Sequence, residues 1–522
     1  MASYPMSAVD AAWYHMDGPS NLAMVTGLMV TKEPLDFKKV RAIYRERIVR
    51  FDRFRQRVVE SGFPIATPHW VDMPHFDVDQ HIHHLTLPAP HDEAALNALI
   101  VDIASTPLDR EQPLWQVHIV DNVDGGSAVF TRFHHCIADG TAMMHVIQHL
   151  FDPAPGPVRK SGAPAAATAA GRPARGGLLT SAFDAIEGAA RRTWAAAGVA
   201  VDAVAHPRPA IEKAALVLRG AEALLTELVK WPDPKSPFKG EFGMRKHVAW
   251  SKPVAIKDVK EVGARSGAKV NDVLVAAMTG ALRTYLRRRG VDVDHTTVRA
   301  MVPVDLRPPE RAGELGNDFG LVILDLAVSK ARAATRLALT QARMDALKRS
   351  PEPIAMRFLF EIFGRGPKAV EDVANDIFGS KASLVMTNVA GPKEPLFLAG
   401  VPIERMMFWV PHPGRQLGMG ISIMSYRGMA SLAVIADARL VPDPEKITEE
   451  FDREFDKALR SVRAAAAGTA ANRTAAKATK ASNKAVKQRA AAAKVAGRKS
   501  APAGLPSSRR VAPGKSRPPR VA

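Results

Sequence analysis

Two adjacent histidines, His134 and His135, are followed at fixed offsets by an aspartate and a glycine in the string His134-His135-Cys136-Ile137-Ala138-Asp139-Gly140. An imidazole titrates near neutrality and can take a proton from a hydroxyl or amine, which is general-base chemistry. Residues 128–133 before the string are β-prone, and an apolar-periodic run from Thr141 to about Phe151 follows it. A histidine delivered from a strand end is held by backbone that moves little, and proton transfer needs geometry before pKa. On an extended backbone only one of two neighbouring rings points into a given cleft, so one is the candidate base and the other supports the loop. Gly140 would allow a tight turn into the helix. Asp139 would either orient the imidazole as in a triad or pair with a distant cation such as Arg307; the ion pair is the preferred reading. Cys136 would be a nucleophile or a small buried filler, and the filler is preferred.

Other chemistries find less support. There is no G-x-S-x-G elbow, no Walker loop and no dinucleotide fingerprint. His81, His83 and His84, with His75 nearby, lack the Cys or carboxylate partners of a known ligand spacing, so no metal site is expected. Without a nucleophile motif, the base would activate a substrate hydroxyl or amine directly.

The elements that must position the histidine belong to an α/β chain of 522 residues, long enough for two or more domains. An N-terminal α/β domain, residues 1–152, mixes β-like runs (23–31, 128–133) with helical patterns (36–51, 94–105). Residues 153–241 open as a Pro/Ala/Gly linker and continue as Ala-rich crossover helices. Their second half shows an apolar face at Leu216, Leu218, Ala221, Leu224, Leu225 and Leu228. A second α/β domain, residues 242–460, carries a helix at 271–287 and strand candidates at 298–304, 321–328, 383–387, 418–425 and 431–435.

The formal charge of +19 is uneven. Of the 72 Lys and Arg, 15 lie from Ser461 onward, where there is no acidic residue; the remaining 57 face all 53 carboxylates, a net of +4. Residues 461–522 form a basic Ala/Lys/Arg-rich tail with almost no large apolar side chains, expected to be disordered. Its charge suits anionic lipid or nucleic acid, or else simple solvation. The single cysteine, the absence of a signal-like N-terminus and the absence of an 18-residue apolar run point to a cytoplasmic protein. Any membrane contact is expected to be peripheral.

Several landmarks narrow the reading. Ser7-Ala-Val-Asp10-Ala-Ala-Trp13, Phe54-Arg55-Gln56-Arg57 with Trp70, and Pro107-Leu-Asp-Arg110-Glu-Gln-Pro113-Leu114-Trp115 precede the histidine string. Val270-Asn271-Asp272-Val273, Val302-Pro-Val-Asp-Leu-Arg307-Pro308, Gly316-Asn317 and Thr387-Asn388-Val-Ala-Gly391-Pro392 follow it. In this order, over about residues 7–455, they resemble the bacterial wax ester synthase/diacylglycerol acyltransferase family, within the chloramphenicol-acetyltransferase-like superfamily. Asp305, where Ser is common, and Asp318-Phe319-Gly320 depart from the pattern.

The resemblance implies two acetyltransferase-type α/β domains with the active site between them. It implies acyl-CoA as co-substrate, no cofactor, and diacylglycerol or a long-chain alcohol as acceptor, giving triacylglycerol or wax ester. It also selects His135 as the base and His134 as its support. Asn271 becomes a candidate oxyanion donor or inter-domain hydrogen bond, and Pro113, Leu114 and Trp115 a candidate substrate wall. The competing readings are a condensation-type transferase with a carrier-bound donor, and a lipid-inclusion or nucleic-acid-binding protein working through its tail.

Overall fold

The computed structural model describes residues 3–60, 67–156, 233–234, 236–311, 313–350, 352–354, 356–357, 379–412 and 416–496. The linker and crossover helices expected from 157 to 232, and the chain beyond 496, lie outside the described residues. The chain divides into two units, Met1–Leu459 and Arg460–Ala522.

The first unit is built on two larger sheets, beside which the described residues form a three-stranded and a two-stranded one. The helices that matter to the site in its first half are α1 (Ala8–Met16), α2 (Phe37–Arg47), α3 (Glu93–Ala104) and α4 (Gly140–Leu150). The first sheet contains β1 (Met24–Val30), β2 (Ile82–Thr86), β3 (Trp115–Val123) and β4 (Gly126–His134). The second half begins with β5 (Lys246–Trp250), α5 (Ile256–Ala264), α6 (Val270–Arg288), β6 (Val298–Asp305), β7 (Phe319–Leu326) and α7 (Ala333–Leu347). It continues with β8 (Leu384–Ala390), β9 (Arg405–Trp409), β10 (Met419–Tyr426), β11 (Met429–Asp437) and α8 (Glu445–Ala496).

The first sheet runs β9-β1-β4-β3-β2 and the second β7-β6-β8-β10-β11-β5. Strand β9 belongs by chain order to the second half. It nevertheless pairs antiparallel with β1, placing Met407 opposite Leu28 and Phe408 opposite Gly27. The two halves therefore share a sheet, which the strand candidates read from the sequence did not include.

Strand periodicity explains the layers. Odd-numbered residues such as Val25, Met29, Val117, Val129 and Phe133 enter one core with Val40, Ile43 and Tyr44 of α2 and Val146 and Leu150 of α4. Even-numbered Leu28, Val30, Val120 and Phe130 enter another with Leu96 and Ile100 of α3 and with Met407 and Trp409 of β9. Both faces are covered, so these strands read as nearly continuous apolar runs. The second sheet is backed by α6, buried from Asp272 to Arg283 without a break, and by Ile447, Phe451 and Phe455 of α8.

Of the tail expected to be disordered, residues 461–496 are helical, and the rest lies outside the described residues. Helix α8 continues through residues 461–496, and apart from the half-buried Val462 its side chains there are exposed wherever these are described. Ala, Lys, Arg and Gln lose little on entering a helix, so a segment unable to build a core can still hold helical backbone.

Candidate active site

Strand β4 ends at His134, and the chain turns at once. The His135 N–H donates to the Ala23 carbonyl (2.8 Å), and the Ile137 N–H to the His134 carbonyl (3.0 Å). Asp139 then caps α4, its Oδ1 accepting from the Ala142 N–H at 2.9 Å. The two histidines part here. His134 is buried, its Nδ1 accepts from the Cys136 N–H (3.2 Å), and desolvation pushes its pKa down to about 4. His135 opens on a cavity of about 220 Å³ between the sheets.

Three groups fix the His135 ring. The Trp13 indole stacks on it, with centroids 3.9 Å apart and planes 3° from parallel, and Phe319 lies at 6.1 Å. The Asn317 Oδ1 is 3.0 Å from His135 Nδ1. The amide orientation follows from its other end, where Nδ2 donates to Asp10 Oδ1 (2.8 Å) and to the His135 carbonyl (2.8 Å). With its amide nitrogen so committed, Asn317 offers the ring an acceptor; Nδ1 must carry the proton and Nε2 is left with the lone pair. Burial lowers the His135 pKa and so favours the neutral ring, opposed by the residue's own backbone, the Asp139 charge and the Asn317 hydrogen bond.

Two arginine–carboxylate pairs brace this arrangement. Arg53 Nη2 meets Asp10 Oδ2 at 2.9 Å, while its Nη1 donates to the Cys136 and Ile137 carbonyls (2.9 and 3.1 Å). Arg307 Nη2 meets Asp139 Oδ2 at 2.5 Å and also donates to the Gly316 carbonyl (2.7 Å). The same Asp139 oxygen accepts from the Asp318 N–H at 3.0 Å. Gly316 has φ +111°, and a Cβ there would sit 3.2 Å from Arg53 Nη2, so the turn that presents Asn317 needs a glycine. Asp139 thus pairs with Arg307 and bears on the imidazole through its charge rather than through a hydrogen bond.

The remaining candidates fall in different places. Gly140 was expected to permit a turn, yet it occupies the first turn of α4 without a left-handed φ. What its missing side chain provides is room, because a Cβ would lie 3.3 Å from Val389 Cγ2 across the cavity. Trp115 lines the cavity and donates from Nε1 to the Phe54 carbonyl (2.8 Å); Pro113 and Leu114 do not reach the lining. Asn271 is exposed in the first turn of α6, outside the lining, and accepts from the Asn388 side chain (2.6 Å), which does line the cavity. Both asparagines belong to the second half, so this contact does not bridge the halves. Cys136 is 0 % exposed, its thiol pushed up by burial, and it packs in the first core. His81 bonds the Trp115 carbonyl through Nδ1 (2.8 Å) and His83 stacks on His118 (4.7 Å), so both are packing residues.

Trp13, Asp10, Asn317, Arg53 and Phe319 were not among the candidate site residues. A signal existed for two of them: Asp10 and Trp13 stand three residues apart, which places them on one helical face.

The split α/β fold that sets a histidine at a strand–helix junction, facing a cavity lined from both halves, is shared with solved structures. The wax ester synthase/diacylglycerol acyltransferase of Marinobacter aquaeolei VT8 superposes with TM-score 0.60, at 18% identity, covering 88% of this chain and 99% of that one. The first condensation domain of the CDA synthetase superposes with TM-score 0.56, at 15% identity, over 88% of this chain and 96% of that one.

The sequence is more specific than the fold. Residues 6–274 match the wax ester synthase/diacylglycerol acyltransferase catalytic domain, and residues 315–458 match the WS/DGAT C-terminal domain. A Mycobacterium tuberculosis protein named as a probable diacylglycerol O-acyltransferase is 28% identical over 413 residues, 78% of this chain and 84% of its own length. The chain belongs to the wax ester synthase/diacylglycerol acyltransferase family and is an acyltransferase.

Proposed function

We propose that this enzyme moves a long-chain acyl group from acyl-CoA to diacylglycerol or a long-chain alcohol, forming triacylglycerol or wax ester, with His135 as the general base. The observation that carries this reading is the His135 imidazole on the cavity wall, its Nδ1 held by Asn317 Oδ1, which leaves the lone pair on Nε2. The surrounding lining is largely aliphatic and aromatic: Val25, Met29 and Phe133 from one half, and Met301, Leu321 and Met424 from the other. Such walls suit an alkyl chain and exclude water, which would otherwise compete as acceptor.

The hydroxyl of the acceptor lies against Nε2 and loses its proton as its oxygen attacks the thioester carbonyl. The resulting oxyanion needs fixed donors, each typically worth about 2.7–4 kcal/mol. The Gly140 and Thr141 N–H groups, in the first turn of α4, have no intrahelical acceptor, and both residues line the cavity. Asn271, the donor suggested by the sequence, would act through Asn388 rather than directly. Collapse of the adduct forms the ester, breaks the C–S bond and releases CoA thiolate, which takes the proton back from Nε2. Trp13 and Asn317 keep the imidazolium in register between the two transfers.

No described helix is long and apolar enough to cross a membrane. Because the acceptor is insoluble in water, we place the reaction at a membrane or lipid-inclusion surface reached from the cytoplasm. The test is an assay of purified full-length protein with palmitoyl-CoA and either dioleoylglycerol or hexadecanol. Ester formation with either acceptor is expected, and its loss in His135→Ala with the fold retained. Absence of transfer to both acceptors removes the reading.

A further inference from the structure

The second unit carries a feature independent of the acyltransferase reading. Along helix α8, Lys477, Lys480, Lys484 and Lys487 recur at spacings of three, four and three residues. At 100° per residue they fall within an arc of about 80°, over about 15 Å of helix. All four side chains are exposed. Between 461 and 496 there is no Asp or Glu to neutralise them, and the large apolar residues are three valines, Val462, Val486 and Val495. The intervening positions are mostly alanine and small polar residues.

We propose that this lysine stripe is a docking surface for double-stranded DNA, held through its phosphate backbone without base recognition. Charge complementarity carries the choice of a polyanion. The choice of duplex DNA over an anionic membrane rests on what the helix lacks. An interfacial helix buries Trp, Phe or Leu below the headgroups, and this one has none between 461 and 496. Its Ala-rich body instead keeps the helix slender, and the B-DNA major groove, about 12 Å wide, admits an α-helix. The deep, narrow major groove of A-form RNA does not. The 15 Lys and Arg from Ser461 to the last residue add sequence-independent attraction.

The experiment is fluorescence anisotropy of a labelled 20-base-pair duplex with the full chain, from 50 to 200 mM NaCl. Four phosphate contacts give a slope of log K against log salt of about −3.6, steeper if other tail cations contribute. Replacing the four lysines by alanine keeps helix propensity and is expected to flatten the slope by about 3.6, roughly 0.9 for each lysine. A second variant keeps the charge and moves two lysines off the stripe: Lys480→Ala and Lys484→Ala with Ser482→Lys and Val486→Lys. Weaker binding by this variant supports the stripe. Parent-like binding by either variant overturns it. So does binding to phosphatidylglycerol/phosphatidylcholine vesicles that excess duplex fails to displace. Ester formation is expected to stay at the parental level in both variants, so this outcome is separable from that of the acyltransfer assay.

Discussion

The two halves of the compact unit contribute unlike things to one cavity. Residues before 156 supply the proposed base and its platform: the β4–α4 junction, the Trp13 face and the first turn of α4. Residues after 236 supply what holds that group in one state, namely Asn317 on the ring nitrogen and Arg307 on the capping aspartate. A base attached to one half alone would be free to swap tautomers. Closing the second half over it brings Asn317 to Nδ1 and sets the proton position, so the tautomer that the proposed mechanism uses needs both halves. Strand β9, paired into the opposite sheet, makes that docking part of the fold.

The largest effect should come from the reacting group. His135→Ala is expected to lower kcat by about 10²–10⁴-fold with little change in thermal midpoint. His134→Gln should do the reverse, lowering the midpoint while the folded enzyme turns over within about tenfold of the parent. Equal kinetic damage from both would erase the distinction between the neighbours.

Breaking the clamp on the first half comes next. Arg307→Ala leaves Asp139 buried without its cation and should cost about 3–5 kcal/mol in chemical denaturation. Adding Asp139→Ala should recover part of that loss; strictly additive effects would show that the pair is not coupled.

Asn317→Ala separates positioning from binding. Its hydrogen bond becomes charge-assisted when the ring is protonated, a contribution of about 1.5–3 kcal/mol, so kcat should fall about 10–100-fold with KM little changed. A rise in KM at constant kcat would assign Asn317 to substrate instead.

The smallest effect is in the pH profile. Burial lowers the His135 pKa from its ordinary 6.5, so kcat/KM should be flat above neutrality and fall only in acid below that value. Asn317 favours the protonated ring, and removing it should move the acid limb lower still. A limb above 6.5 contradicts the assignment. The same burial has a stability consequence. His134, with its pKa near 4, binds a proton in the unfolded chain at pH values where the folded chain does not. Its contribution is complete above 6.5 and is lost progressively as pH falls toward 4.

Much of this site was legible in one dimension because its parts are local. The His134-to-Gly140 string is contiguous, and strand-then-helix periodicity around it announced the junction. Asp10 and Asn317 stand 307 residues apart, and each was visible only as a landmark of family resemblance; nothing in either neighbourhood says that they meet. Asn271 shows what a local reading leaves out. A polar residue at a helix start suits an oxyanion hole, and in the fold its side chain, outside the lining, meets Asn388, which lines the cavity.

From residue order came the candidate histidine pair, the α/β class and the basic tail, because periodicity, composition and short-range spacing are local quantities, and the run of landmarks in order brought the acyltransferase family. Tertiary structure alone decided the tautomer of His135, the stacking of Trp13, the exchange of β9 between sheets and the burial of Cys136. Those depend on which distant groups share a desolvated volume, and in such a volume a single hydrogen bond or ion pair determines which state a side chain occupies.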